Sequence, residues 1–212
     1  SVGVLSGAGF DALGVANKHA TDNGSAGLDE SLRVLRGADV APVGGGRAPA
    51  AYAPRFVARN GLRMAILACN AVVGGVPATD EEAGVAACDS PDAARAVEHA
   101  RAHADLVFVL AHWGVEYAPV AGSYQRATAR AVVDAGADAV IGQHPHVVQD
   151  VEWIARTGAR PALVAYSLGN LLFDAIDTDP RRGALVWTVA DRLGVIRFRA
   201  LPVRTGALGA AA

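Results

Sequence analysis

The sequence predicts an α/β protein whose strands pair in mixed fashion. Short apolar runs alternate with amphipathic stretches up to about residue 141, the rhythm of strands and helices packed in layers. Beyond that point four strand-like segments follow one another with only turns between them. Such a run breaks the regular crossover that a purely parallel sheet requires and points to two sheets with mixed pairing. The chain has 212 residues, 52% of them apolar. That composition excludes a disordered chain and suits one domain with a real core.

The elements read as follows. Ala12–Ala16 is a strand. Leu28, Leu32 and Leu35 share one helical face, and Gly37 is a suitable stop. Val40–Val43 is a short strand closed by Gly44-Gly45-Gly46. Arg55–Arg59 and Leu62–Cys69 flank Asn60-Gly61, a strong hairpin signal because both turn positions favour positive φ. Residues 71–85, with Gly74, Gly75 and Pro77, read as loop. Ser90-Pro91 offers an N-cap followed by proline at the first helical position, so a helix is expected over 91–103. Asp105–Ala111 is a buried strand, Ser123–Ala135 a helix ending at Gly136, and Ala137–Ile141 another buried strand. The four successive strands are Val147–Ile154, Pro161–Ser167, Ala184–Val189 and Gly194–Pro202. Residues 1–204 are expected to form one domain, and the small-residue stretch Thr205–Ala212 a flexible tail.

Bulk charge narrows the function classes. A net charge of −2 and a pI near 6.3 give no electrostatic footprint for a nucleic-acid partner. No apolar run approaches the ~20 residues of a membrane-spanning helix. The chain opens at Ser1 inside an apolar pattern (Val2, Val4, Leu5), so further residues are expected upstream. Cys69 and Cys88 lack metal-ligand spacing and read as two buried thiols, while a disulfide between them would suit an exported protein. Arginine is abundant, yet the only lysine is Lys18.

The histidines carry the chemical signal. His99 and His103 lie four apart on the 91–103 helix, among Arg95, Glu98 and Arg101, and read as a solvated face. The other four each follow a predicted strand: His19, His112, and the pair His144 and His146. Ligands of α/β sheets collect outside the carboxyl ends of strands, so these ends deliver imidazoles to one rim. In His144-Pro145-His146 the residue before proline is pushed toward extended backbone. An extended chain would point both rings to the same side, an arrangement that suits a metal such as Zn, Mn or Fe. Polar groups gather nearby in Asn17–Gly24, in His112-Trp113-Gly114-Val115-Glu116-Tyr117, and in Ser167-Leu168-Gly169-Asn170.

In these segments the chain resembles the CapA proteins of poly-γ-glutamate capsule synthesis, whose fold is similar to that of the calcineurin-like metallophosphoesterases. The resemblance is carried by Ala16–His19 with Asp22 and Gly24, by His112-Trp113-Gly114 with Glu116-Tyr117, by Gly136-Ala137-Asp138, by Gly142–His146, and by Tyr166–Asn170. It runs to about Asp174. It implies two mixed β-sheets sandwiched between helices, with the family's N-terminal strands lying outside this sequence. It also implies a centre of divalent metal ions (Mn, Fe or Zn) that activates water for attack on phosphorus. By this resemblance Asn17, His112, His144 and His146 are candidate metal ligands. His19 and Glu116 are candidate catalytic groups, with His19 near the leaving group, and Lys18, Asp22, Ser167 and Asn170 are candidate substrate contacts. The implied function is metal-dependent hydrolysis of a phosphoester or polyglutamate-type substrate in capsule synthesis, at the cell envelope or outside the cell. The alternative is a non-catalytic envelope component that binds or helps export an acidic polymer.

Two departures bear on that reading. The Asp-x-His and Gly-Asp motifs of such sites are not in this sequence, and they are expected upstream of Ser1. The family pattern Asn-Asn-His reads Asn17-Lys18-His19 here, and a protonated amine cannot ligate a metal. Three readings stand open: Asn17 takes over as ligand, Lys18 replaces one metal as a point charge for phosphate or carboxylate, or Lys18 is a drifted surface residue.

Overall fold

The computed structural model describes residues 2–173 and 181–204. The expected tail at 205–212 lies outside the described residues. In chain order the α-helices and strands are α1 (Val2–Gly7), β1 (Ala12–Gly14), α2 (Gly24–Gly37), β2 (Ala41–Val43), β3 (Gly45–Gly46), β4 (Arg55–Arg59) and β5 (Leu62–Asn70). They continue with β6 (Gly84–Val85), α3 (Pro91–His103), β7 (Leu106–His112), α4 (Ser123–Asp134), β8 (Ala139–Gln143), β9 (Val151–Ile154), β10 (Ala162–Ala165), β11 (Arg182–Asp191) and β12 (Gly194–Arg204).

The centre is a six-stranded sheet in the order β4-β5-β7-β8-β10-β9. The inner strands β5, β7, β8 and β10 run parallel, and the edge strands β4 and β9 are antiparallel to their neighbours. Side chains alternate across it, as the pleat requires. Val107, Val109 and Ala111 of β7 pack with Val97 and Ala100 of α3 and with Ala129, Val132 and Val133 of α4. The intervening residues point the other way. Leu110 joins Val43, Ala68 and Ala16 under the β1–β2 pair, and Phe108 joins Val195, Val186 and Phe198 of the β11–β12 hairpin. Helix α2 covers that strand layer through Leu28 and Leu32 with Val15. The α/β class and the mixed pairing therefore match the sequence reading. Among the described residues the second layer consists of separate strand pairs rather than one continuous sheet.

Local chemistry explains most boundaries. Asn60 (φ 53°) and Gly61 (φ 74°) turn the β4–β5 hairpin in the left-handed conformation both tolerate. Ser90 caps α3 by accepting a hydrogen bond from Asp92 N at 3.1 Å, with Pro91 at the first helical position. At the amino end of β8, Asp138 is buried and accepts from Arg101 (2.7 Å), Arg156 (2.8 Å) and Val107 N (2.7 Å), tying α3, β7, β8 and the 155–160 turn together.

Residues 2–7, where the sequence reading named no element, form a short helix that buries none of its side chains. Three expectations change. The 71–85 stretch is largely irregular but ends in β6, which pairs with β3. The strand expected from Val147 begins only at Val151, because the chain bends through residues 144–147. Cys69 and Cys88 form a disulfide rather than two thiols, with Cα atoms 4.9 Å apart. Backbone pairing makes that approach: Asn70 bridges Ala87, and Cys88 N donates to Asn70 O at 3.0 Å, so the two half-cystines lie side by side.

Candidate metal centre

The register of three parallel strands builds the rim. Asn70, His112 and Gln143 lie abreast at the carboxyl ends of β5, β7 and β8. His144, one residue beyond Gln143, therefore lands beside His112, with ring centroids 4.7 Å apart. Trp113 and Gly142 fix this corner. Trp113 is fully buried, its N donates to Gln143 O (3.1 Å), and its Nε1 donates to Tyr166 O (2.8 Å). A Cβ on Gly142 would stand 1.9 Å from Tyr166 O, so only glycine lets β8 approach this closely.

His112 Nε2 and His144 Nδ1 are buried and have no hydrogen-bond partner. Buried polar atoms are nearly always satisfied, and these two imidazole nitrogens on adjacent rings, bonded to no protein group, are donors suited to a metal. Burial pushes the His112 imidazole down to about 3, with the charges of His144 and Lys18 adding to it. Burial also lowers His144, again helped by Lys18. Both rings are neutral at physiological pH, the state in which a ring nitrogen has a lone pair for a metal.

His146 and Glu116 close the cluster. One ligand atom each from Glu116, His144 and His146 lies within 4.8 Å of the others. The convergence does not come from extended backbone, as the sequence suggested. His144 (φ 105°) and His146 (φ 60°) both sit at positive φ, so the chain turns sharply around Pro145 instead. Each such conformation costs on the order of 1–3 kcal/mol in a non-glycine residue, and strain of this kind collects at functional sites. The turn is held by Tyr117 N, which donates to Pro145 O at 2.8 Å and carries Glu116 to the histidines. His146 is oriented from both sides. Its Nδ1 is 2.9 Å from Asn170 Oδ1, and Phe173 stacks on its ring at 4.9 Å. A proton on Nδ1, donated to Asn170, leaves Nε2 as the lone-pair nitrogen.

The 17–22 loop meets this rim through Lys18. The Lys18 ammonium donates to Glu116 Oε1 across 98 residues of sequence, and that hydrogen bond holds the Glu116 carboxyl below its usual range. The Lys18 side chain is only 21% exposed, which does not fit a drifted surface lysine. Asn17 Oδ1 accepts from His19 N at 2.8 Å and so serves its own turn. His19 and Asp22 pair with each other at 2.9 Å on the exposed side of the loop. Ser167 is fully buried, and its Oγ accepts from Gly169 N (3.2 Å) in the turn after β10. Asn170 contacts His146 through Oδ1, and its Nδ2 donates to His146 O at 3.3 Å. His99 and His103 are exposed on α3, as the sequence indicated. Sequence reading missed the buried pair Gln125 and Gln149, linked at 2.9 Å. These two brace the Glu116 loop through Gly122 N and Ala118 O. Lone glutamines carry no motif that could have flagged them.

A family model described as bacterial capsule synthesis protein PGA_cap matches residues 1–175. The chain belongs to this family. Two curated relatives agree with the assignment. The PGA biosynthesis protein CapA of Bacillus subtilis (strain 168) is 35% identical over 206 residues, covering 96% of this chain and 53% of that protein. The capsule biosynthesis protein CapA of Bacillus anthracis is 37% identical over 187 residues, covering 84% of this chain and 44% of that protein. This PGA_cap chain thus spans about half the length of these relatives. Solved structures place its fold among those of the metallophosphoesterase and 5′-nucleotidase type. The sulfate thiohydrolase SoxB of Thermus thermophilus superposes with a TM-score of 0.62 at 18% identity, over 96% of this chain and 34% of that one. A putative 5′-nucleotidase from Staphylococcus aureus gives 0.61 at 15% identity, over 100% and 41%. Among the described residues of this PGA_cap member no helix is long and apolar enough to cross a membrane.

Proposed function

We propose that this PGA_cap domain is a metal-dependent hydrolase of capsule synthesis, acting at the cell envelope on a phosphoester or a polyglutamate-type polyanion. The reading is carried by the two orphaned, buried nitrogens of His112 and His144. Ligand atoms of His144, His146 and Glu116 lie within 4.8 Å of one another, and His112 stands beside this group with its ring 4.7 Å from that of His144. Imidazoles and a carboxylate suit Mn, Fe or Zn, and they fit the metal that the fold type implies. The chemistry such an ion supplies is Lewis-acid polarisation of a phosphoryl or carbonyl oxygen. Asn170 orients His146, and Lys18 offers a positive charge to an anionic substrate. The His19–Asp22 pair, exposed on the same loop as Lys18, would serve as the proton donor to a leaving group. The Cys69–Cys88 disulfide supports a compartment outside the reducing cytosol.

The test uses the full protein, purified without chelator. The expected result is bound transition metal and hydrolysis of bis(p-nitrophenyl) phosphate or poly-γ-glutamate. Both should be lost in the double variant H112A/H144A. Protein free of metal after incubation with Mn²⁺ and Zn²⁺, with activity indifferent to these substitutions, would overturn the reading. The Lys18–Glu116 pair favours a second reading, a site that holds an acidic polymer without cleaving it. Metal and polymer binding without turnover would select that one.

A further inference from the structure

We propose that Lys18 makes cation and oxyanion binding at this rim mutually dependent, because its ammonium and a divalent ion compete for the same Glu116 carboxylate. This rests on the metal reading above and adds a coupling to it. Glu116 is bonded to Lys18 Nζ and is also the carboxylate that lies within 4.8 Å of the ligand atoms of His144 and His146. One small carboxylate cannot serve both partners fully. An ion that draws Glu116 into its coordination releases the ammonium, and an anion that takes the ammonium releases Glu116.

Both backbones are held independently of the pair, so only side chains need to move. On the Lys18 side, Gly74 and Gly75 lie against the loop. A Cβ on Gly75 would stand 2.7 Å from Asn17 O, and one on Gly74 would stand 3.0 Å from Lys18 O. Val76 N donates to Thr21 Oγ1 at 3.1 Å, anchoring the same loop. On the Glu116 side, the Tyr117–Pro145 bond and the Gln125–Gln149 brace hold the chain. A released ammonium therefore stays at the rim. Asp22, the nearby carboxylate of the 17–22 loop, is already paired with His19. With an ion bound, the rim holds its two charges and the Lys18 charge against one carboxylate. That excess favours an anion presenting two oxygens, one toward the ion and one toward Lys18. The chemical class is an oxyanion, phosphoryl or carboxylate, and thermodynamic linkage makes the coupling reciprocal.

The experiment is calorimetric titration of the full protein with Mn²⁺, alone and with methylphosphonate or glutarate, for the wild-type chain, K18M and K18R. Without anion, K18M should bind Mn²⁺ about three- to fivefold more tightly than wild type, the worth of a half-exposed ion pair. In the wild-type chain at least one anion should tighten Mn²⁺ several-fold. K18M should show less than a twofold gain, and K18R, which keeps the charge, should retain it. A gain with methylphosphonate alone identifies a phosphoryl ligand, and one with glutarate alone a carboxylate. If K18M and wild type bind Mn²⁺ equally, or gain equally from the anion, the coupling is wrong while the metal reading stands. If no anion tightens Mn²⁺ in the wild-type chain, the coupling is likewise wrong. If neither chain binds Mn²⁺, the metal reading fails and takes the coupling with it. Matching thermal melts of the three proteins ensure that folding does not produce the differences.

Discussion

Replacing Gly142 with alanine tests how the His112–His144 corner is built. The added Cβ would meet Tyr166 O at 1.9 Å, Tyr166 C at 2.6 Å and Trp113 Nε1 at 2.4 Å. Ordinary contacts between non-bonded carbons lie near ~3.5–4.0 Å, so the β10 end must move by more than an ångström. That movement breaks the buried Trp113–Tyr166 hydrogen bond, leaving a donor and an acceptor unsatisfied at roughly 1–3 kcal/mol each. Overpacking of a filled core adds about 1–3 kcal/mol. Partial relaxation brings the expected loss to about 3–5 kcal/mol, a drop in Tm on the order of 10 °C for a domain of this size. Urea and thermal unfolding followed by tryptophan fluorescence measure it. Gly37→Ala is the control, since a Cβ at Gly37 meets nothing within 4 Å. A loss below about 1 kcal/mol for Gly142→Ala would falsify the close-approach argument, and with it the reason His112 and His144 lie side by side.

Acid should destabilise the metal-free domain through His112. Burial holds the folded-state value near 3 while the unfolded one is near ~6.5. The stabilisation is therefore complete above about pH 6.5 and decays as pH falls toward 3. Between pH 7.5 and 5 the full effect would be about 2 kcal/mol, and partial solvation reduces it to about 1 kcal/mol. Urea unfolding in EDTA at the two pH values should show that slope shrinking in His112→Gln; equal slopes would refute the assignment. At the opposite end of the sheet, Asp138→Asn should cost roughly 3–5 kcal/mol by stranding the buried Arg156 guanidinium. Mn²⁺ affinity of the fraction that remains folded should be unchanged, and a changed affinity would mean that Asp138 acts on the site. Reduction of the Cys69–Cys88 bridge, which closes a 19-residue separation, should lower stability by about 3 kcal/mol. Denaturation with and without reductant measures it, and overlapping curves would contradict the expectation.

Much of this protein was legible in the sequence because its signals are local. Ser90-Pro91 starts a helix through one side-chain bond and one fixed φ, and Asn60-Gly61 turns a hairpin through two backbone conformations, so neither needs distant residues. The unbroken apolar run of β7 already implied a strand buried on both faces. The histidines at strand ends marked the rim for the same reason, since a parallel sheet gathers its carboxyl ends whatever the loops do. Only the tertiary structure decided which groups meet there. Register set His112 beside His144, a strained turn rather than an extended dipeptide brought His146 in, and a hydrogen bond from Tyr117 to Pro145 carried Glu116 to them. The same holds for Lys18. Its rarity and its place before His19 could be read from the sequence, but its ion pair with a carboxylate 98 residues away could not. Long-range pairings depend on how separate segments pack, and no pattern along the chain encodes a contact between two loops that only the folded sheet brings together.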